Sequence, residues 1–290
     1  MDRQPQYIRF DWAMRRLLRD KANFGVLEGF LTTLLGKTIK IQKLLESESN
    51  QEDKDDKQDR VDVLAEDDKG ELYLIEVQNE SELAYFQRML FGTSKLVTEY
   101  INRGENYEHV RKVYNVNIVY FNLGGGTDIV YHGKTEFRGI HNGEVLSLSP
   151  FQQQRFKVDT VSDLYPEYFI LKVNDFNKWS KVPLEQWIYF LNTSEIPHGA
   201  TAPGLDEARK KLQIDRMTPA ELNAYYRHLD NIVILRDNIS TARGEGRMEG
   251  RAEGRAEAMK ETARKMKQGG MDVKLIMQFT GLKAEEITSL

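Results

Sequence analysis

The sequence predicts an α/β sandwich, and three observations predict it. Apolar residues recur at helical spacing between Phe10 and Gly36, alternation of period two runs through "RVDVLAEDDKGELYLIEVQ", and helical spacing returns from Ser81 ahead of two further strands. Helix, helix, strands, helix, strands is the order expected of a sheet covered by helices.

The first segment places Met14, Leu17 and Leu18, then Val26, Leu27, Phe30, Leu31, Leu34 and Leu35, on helical faces, with Asn23-Phe24-Gly25 dividing it into two helices. "KTIKIQKLL" reads as a strand. From Glu46 to Asp59 seven acids stand against two lysines, so this stretch is a solvated loop or a disordered insertion. "RVDVLAEDDKGELYLIEVQ" is a β-hairpin whose two alternating strands meet at an Asp-Asp-Lys-Gly turn. Ser81 to Arg103 is a helix with Leu83, Phe86, Leu90, Val97 and Ile101 among its apolar positions and Gly104 as its stop. "KVYNVNIVYFNL" and "DIVYHGKTEFRG" are strands. "LYPEYFILKV" fits either period, while "PLEQWIYFLNT" and "TPAELNAYYRHLDNIVILRDNIS" are helical.

The tail repeats with period four, with Arg at 243, 247, 251 and 255 and Glu at 245, 249, 253 and 257. As a helix it stacks like charges at i and i+4, and each of its glycines costs about 1 kcal/mol relative to alanine. Two readings stand: a flexible charged linker, or a helix paired with another along the small residues Gly246, Gly250, Gly254 and Ala258. "MDVKLIMQFTGLKAEEITSL" then forms two short helices about Thr280-Gly281-Leu282.

Composition narrows the classes. The 290 residues are 40% hydrophobic, enough to bury a core, and carry a formal charge of -4 from 41 basic and 45 acidic residues. That balance excludes a polybasic nucleic-acid coat, so any nucleic-acid contact must be a local basic patch. The absence of cysteine excludes disulfides, thiolate zinc sites and cysteine nucleophiles. "MDRQPQYIRF" lacks the apolar core of a signal peptide, and no eighteen apolar residues run together, so a soluble cytoplasmic protein with no membrane partner is expected.

One carboxylate needs explaining. In "GELYLIEVQN", Leu72, Leu74, Glu76 and Gln78 share one strand face, and a glutamate on a mostly buried face costs roughly several kcal/mol unless it is paired, hydrogen-bonded or bound to a metal. An antiparallel partner strand can bring Asp62 beside Glu76 within one or two registers. Two adjacent carboxylates are tolerable mainly about a divalent cation, and Mg²⁺ suits them best because it takes oxygen ligands and keeps several waters. The alternative is that Asp62 starts a solvent-facing strand and Glu76 points into water at a sheet edge.

The ordered set of Asp11 with Met14-Arg15, "GFLTTLLG", Asp62, "YLIEVQN", Arg88, "SKLVTEYINRGENY" and "VNIVYFNL" resembles the PD-(D/E)XK nuclease family transposases, also called recombination-promoting nucleases. The resemblance runs colinearly from about Tyr7 to Leu123, and the charged tail is similar to tails of that group. It implies a restriction-endonuclease-like core, a mixed sheet flanked by helices, over residues 1–180, a helical extension over 181–240 and a charged tail over 241–290. It implies Mg²⁺- or Mn²⁺-dependent hydrolysis of DNA phosphodiester bonds, with Asp62, Glu76 and the Val77 carbonyl binding metal and Gln78 placing water. Gln78 stands where the wider superfamily carries lysine, although the resembled subfamily commonly carries Glu-x-Gln. A neutral amide positions water but cannot act as a general acid or base. Lys95 either supplies the missing charge or is solvated, Arg88 contacts phosphate or forms a surface salt bridge, and Asp11 is a site carboxylate or a helix N-cap, the cap being preferred. A catalytically inactive protein of this fold, acting as a DNA- or protein-interaction module, is the alternative function. The tail is expected to support a homo-oligomer.

"LGGGTD" lies between strands and opens no helix, so it is a turn and not a phosphate cradle, and the five histidines show no metal-ligand spacing.

Overall fold

The computed structural model describes residues 7–16, 20–45, 60–100, 106–174, 176 and 178–290. The acidic stretch 46–59, the positions Leu17 and Leu18, and the helix end from Ile101 to Gly104 lie outside the described residues. The chain divides into two compact units, residues 1–226 and 227–290.

In the first unit, α1 (Phe10–Arg16) and α2 (Phe24–Leu35) precede β1 (Ile41–Leu45), β2 (Arg60–Asp67) and β3 (Leu72–Gln78). Helix α3 (Tyr85–Glu99) leads to β4 (Val113–Val119) and β5 (Val130–Gly133), then α4 (Pro150–Phe156), β6 (Glu167–Lys172), α5 (Pro183–Thr193) and α6 (Leu205–Lys211). Helix α2 begins at the expected break and ends on Gly36, whose left-handed φ of 67° suits glycine. The six strands form one mixed sheet in the order β1-β2-β3-β4-β6-β5. β3, β4 and β6 run parallel to one another, and the other pairs are antiparallel. This is the expected α/β, restriction-endonuclease-like arrangement with a helical C-terminal extension.

Helices cover both faces. Leu64, Leu72, Leu74 and Val113 pack with Leu96 of α3, and Tyr85 and Met89 of the same helix join Val119, Phe121 and Leu123. On the opposite face Tyr73, Ile75 and Val77 are buried. Phe10 of α1, Phe30 of α2, and Trp187 and Phe190 of α5 meet in edge-to-face contacts with ring centroids 5.3–6.3 Å apart. Helix α2 approaches the start of α6 so closely that a Cβ on Gly29 would stand 2.2 Å from the Gly204 Cα.

One open reading is decided and two expectations need correction. "LYPEYFILKV" contributes β6, which inserts between β4 and β5; Phe169 and Leu171 are buried on one face and Tyr168 and Ile170 half-buried on the other, so no clean alternation marks it. "DIVYHGKTEFRG" is a strand only over Val130–Gly133, where its pairing with β6 ends at Gly133 opposite Tyr168. Helix α3 begins at Tyr85 and buries Tyr85, Met89, Thr93 and Leu96, leaving Leu83, Phe86 and Leu90 exposed, because Asn115 and Asn117 of β4 bond to Met89, Thr93 and Tyr85 and draw that helical face inward.

The extension includes α7 (Pro219–Gln268), a single 50-residue helix that takes in the whole Arg/Glu repeat. In the second unit α8 (Val273–Thr280) and α9 (Ala284–Ser289) flank Gly281 as expected, and Ile276 and Ile287 pack on Ala263. The charged repeat is solvent-exposed, and nothing stands within 4 Å of the Cβ positions of Gly246, Gly250 and Gly254.

Candidate functional site

The β2–β3 turn sets the site. Asp67 Oδ1 accepts from the backbone N–H of Lys69 (3.0 Å) and Glu71 (2.8 Å), while Oδ2 accepts from the Tyr73 hydroxyl (3.0 Å). Gly70 supplies the left-handed residue of the turn, with φ 80°. Burial outweighs these bonds and pushes the Asp67 carboxyl above the usual carboxylate range. The turn fixes a register in which Asp62 lies directly opposite Glu76, Leu64 opposite Leu74, and Arg60 opposite Gln78. Opposed residues of an antiparallel ladder share a face, so position 62 falls on the same face of the sheet as Glu76, which meets α3. For Asp62 only the backbone is among the described atoms.

Glu76 is 5% exposed. Arg88 of α3 meets it, Nη2 donating to Glu76 Oε2 at 2.6 Å, and Nη1 donates to Glu82 Oε2 at 3.3 Å. The same guanidinium stands 5.1 Å from the Tyr85 ring centroid. Gly92, one turn along, brings the helix close: a Cβ there would lie 3.8 Å from Glu76 Oε1. The edge reading of Glu76 is therefore overturned, since β3 is central and its glutamate buried. Arg88 takes the salt-bridge role expected as one of its two alternatives, and does so beneath the helix.

The model of one protein family, PD-(D/E)XK nuclease family transposase, matches residues 8–242. The chain belongs to that family. Comparisons with curated proteins and with solved structures yield no match. Membership in the PD-(D/E)XK nuclease family transposases supports a nuclease- or transposase-like function with DNA as substrate, and nucleases of this class generally use divalent metals. Among the described residues no helix is long and apolar enough to cross a membrane.

The residues fit such an ion. The expected ligands, Asp62, Glu76 and the Val77 carbonyl, are all oxygen donors, the kind a hard cation takes. Gln78 is buried; its Nε2 donates to the Glu80 carbonyl at 3.1 Å, and its Oε1 has no hydrogen-bond partner. An unsatisfied buried oxygen costs about 1–3 kcal/mol until a water or ion meets it. Among the described residues no group of three His, Asp or Glu side chains forms a complete cage, a set that excludes the Asp62 side chain.

Asp11 is not a cap. It lies inside the first turn of α1, wholly buried, and its carboxylate accepts from Arg9 Nη2 (3.1 Å) and Asn79 Nδ2 (3.3 Å). Arg9 also donates to Asn79 Oδ1 at 3.2 Å and covers the Tyr120 ring. Burial opposes the Arg9 charge, but Asp11 and the neighbouring tyrosines outweigh it and raise its pKa. This cluster abuts the end of β3 one residue beyond Gln78. Lys95 is half-buried on α3, and its ammonium forms no ion pair among the described residues.

Asn115 and Asn117 escaped the sequence reading. Asn117 pairs in register with Glu76 and accepts from the Tyr85 hydroxyl at 3.1 Å; Asn115 donates to Thr93 Oγ1 at 2.9 Å. Their signal was the one that exposed Glu76, polar residues at period two in an otherwise apolar strand. "LGGGTD" is a turn, with Gly124 and Gly126 at φ 64° and 98°. His132 contacts Glu167 at 2.7 Å and stacks on Phe169.

Proposed function

We propose that this chain is a metal-dependent DNA endonuclease that hydrolyses phosphodiester bonds, with Asp62, Glu76 and the Val77 carbonyl holding Mg²⁺ or Mn²⁺ and Gln78 placing the attacking water. The register that sets Asp62 opposite Glu76, in a family of nucleases, carries this reading. When bound, a divalent ion supplies Lewis acidity and lowers the pKa of a coordinated water. The chain supplies position and charge. Burial of Glu76 holds its carboxylate in one place, and the bond from Gln78 Nε2 to Glu80 leaves Oε1 without a partner, able to accept an O–H from water without removing the proton. Arg88, restrained by Glu82 and Tyr85, is placed to donate to a phosphate oxygen. The chemistry falls within residues 1–180, in a cytoplasmic setting, and the charged tail over 241–290 supports self-association.

A non-catalytic DNA- or protein-interaction module on the same fold is the second reading, favoured by the Arg88–Glu76 ion pair and by Gln78 in the lysine position. Nicking of supercoiled plasmid separates the two. Wild type nicks only with Mg²⁺ or Mn²⁺ and Glu76→Ala does not; equal traces of nicking in both, with folding intact, favour the interaction module.

A further inference from the structure

We propose that Arg88 and a divalent cation are mutually exclusive occupants of the Glu76 carboxylate, and that Glu82 receives the guanidinium when the ion takes its place. This inference rests on the metal-site reading above.

Arg88 bridges two carboxylates of unequal exposure. Its bond to Glu76 is the shorter, at 2.6 Å against 3.3 Å to Glu82, and the Glu76 side chain is 7% exposed against 30% for Glu82. The guanidinium therefore sits closest to the more buried of the two charges. An ion on Glu76 Oε2 would stand beside that guanidinium in a weakly screened interior, where like charges repel strongly. One cation must leave.

The helix cannot carry Arg88 away. Asn115 Nδ2 donates to the Met89 carbonyl (3.3 Å) and to Thr93 Oγ1 (2.9 Å), and Tyr85 is tied to Asn117 (3.1 Å), so α3 is pinned to β4 along two turns. The exchange is then a rotation of the Arg88 side chain over the Tyr85 ring toward Glu82, to which Nη1 is already bonded. No charge is stranded: Glu76 gains the ion, and Arg88 keeps a carboxylate and an aromatic face.

Calorimetric titration of the full chain with Mn²⁺ tests this. Arg88→Met removes the competitor and is expected to bind Mn²⁺ about tenfold more tightly than wild type. Glu82→Gln removes the destination and is expected to bind it more weakly. In the Arg88→Met background Glu82→Gln should have no effect, which separates a receiver of Arg88 from a direct ligand of the ion. Equal Mn²⁺ affinity in wild type, Arg88→Met and Glu82→Gln overturns the exchange and leaves the metal site standing. Absence of Mn²⁺ binding in folded wild type and folded Arg88→Met overturns the metal site itself. Should Arg88→Met not fold, Arg88→Gln takes its place in both comparisons: tighter Mn²⁺ binding than wild type, with no further effect of Glu82→Gln, supports the exchange, and unchanged affinity overturns it.

Discussion

Asp62 stands directly across the β2–β3 ladder from Glu76, with the hairpin turn between them closed on the side chain of Asp67. Removing that side chain tests how firmly the register is held. Asp67→Ala loses acceptors for two backbone N–H groups and the Tyr73 hydroxyl, and urea unfolding should show a loss of about 1–3 kcal/mol. A one-residue slip would send Asp62 to the opposite face, so nicking should fall further than stability does.

The hairpin was legible because alternation and turn chemistry agree over "RVDVLAEDDKGELYLIEVQ". The tail helices at Val273 and Ala284 were legible for a similar reason, since Gly281 marks the stop between them. β6 was not, because both of its faces are covered and Tyr168 to Leu171 shows no period. The phase of α3 was hidden as well: its buried face is chosen by Asn115 and Asn117 on a strand distant in sequence, so Met89 and Thr93 go inward and Leu90 outward. Asp11 looked like a cap because its distant partner Asn79 meets it only in the fold, where the neighbouring Arg9 bonds to both. Nothing in the sequence foretold that the Gln78 amide would be turned with its oxygen unpartnered.

Position 78 should tolerate a cation, whereas position 76 should not tolerate loss of charge. Gln78→Lys is expected to preserve or raise Mg²⁺-dependent nicking and Glu76→Gln to abolish it. Loss of nicking in Gln78→Lys, with an unchanged circular dichroism spectrum, contradicts the assignment of that position to water.

Acid stability should depend on Glu167. Burial raises its pKa, but bonds from Lys112 Nζ (2.8 Å) and His132 Nε2 (2.7 Å) outweigh that and hold it below the usual carboxylate range. A depressed carboxylate stabilises the fold above its unfolded pKa of about 4.3, and that contribution is lost as pH falls through the lower folded value. Glu167→Gln should be less stable than wild type at pH 7 and should lose less stability on acidification below about pH 4.3. Parallel denaturation curves for the two proteins across that window would contradict the linkage.

The exposed repeat on α7 should pair with a second copy. Antiparallel association would set the Arg243–Arg255 row of one helix against the Glu245–Glu257 row of the other, each exposed pair contributing roughly 0.2–1 kcal/mol. The exposed apolar residues Val273, Met277 and Phe279 add surface. Truncation after Ser240 should leave the sheet folded and lower the number of chains per sedimenting particle; an unchanged oligomeric state makes the repeat a spacer.

The shared ion at Asp62 and Glu76 is tested most directly by anomalous diffraction from crystals grown with Mn²⁺. One anomalous peak is expected on the α3 face of the sheet, with carboxylate oxygens of both residues roughly 2.0–2.6 Å from it and Arg88 turned to Glu82. A map with Asp62 and Glu76 carboxylates on opposite faces, or with Mn²⁺ bound elsewhere while Arg88 still holds Glu76, would contradict it.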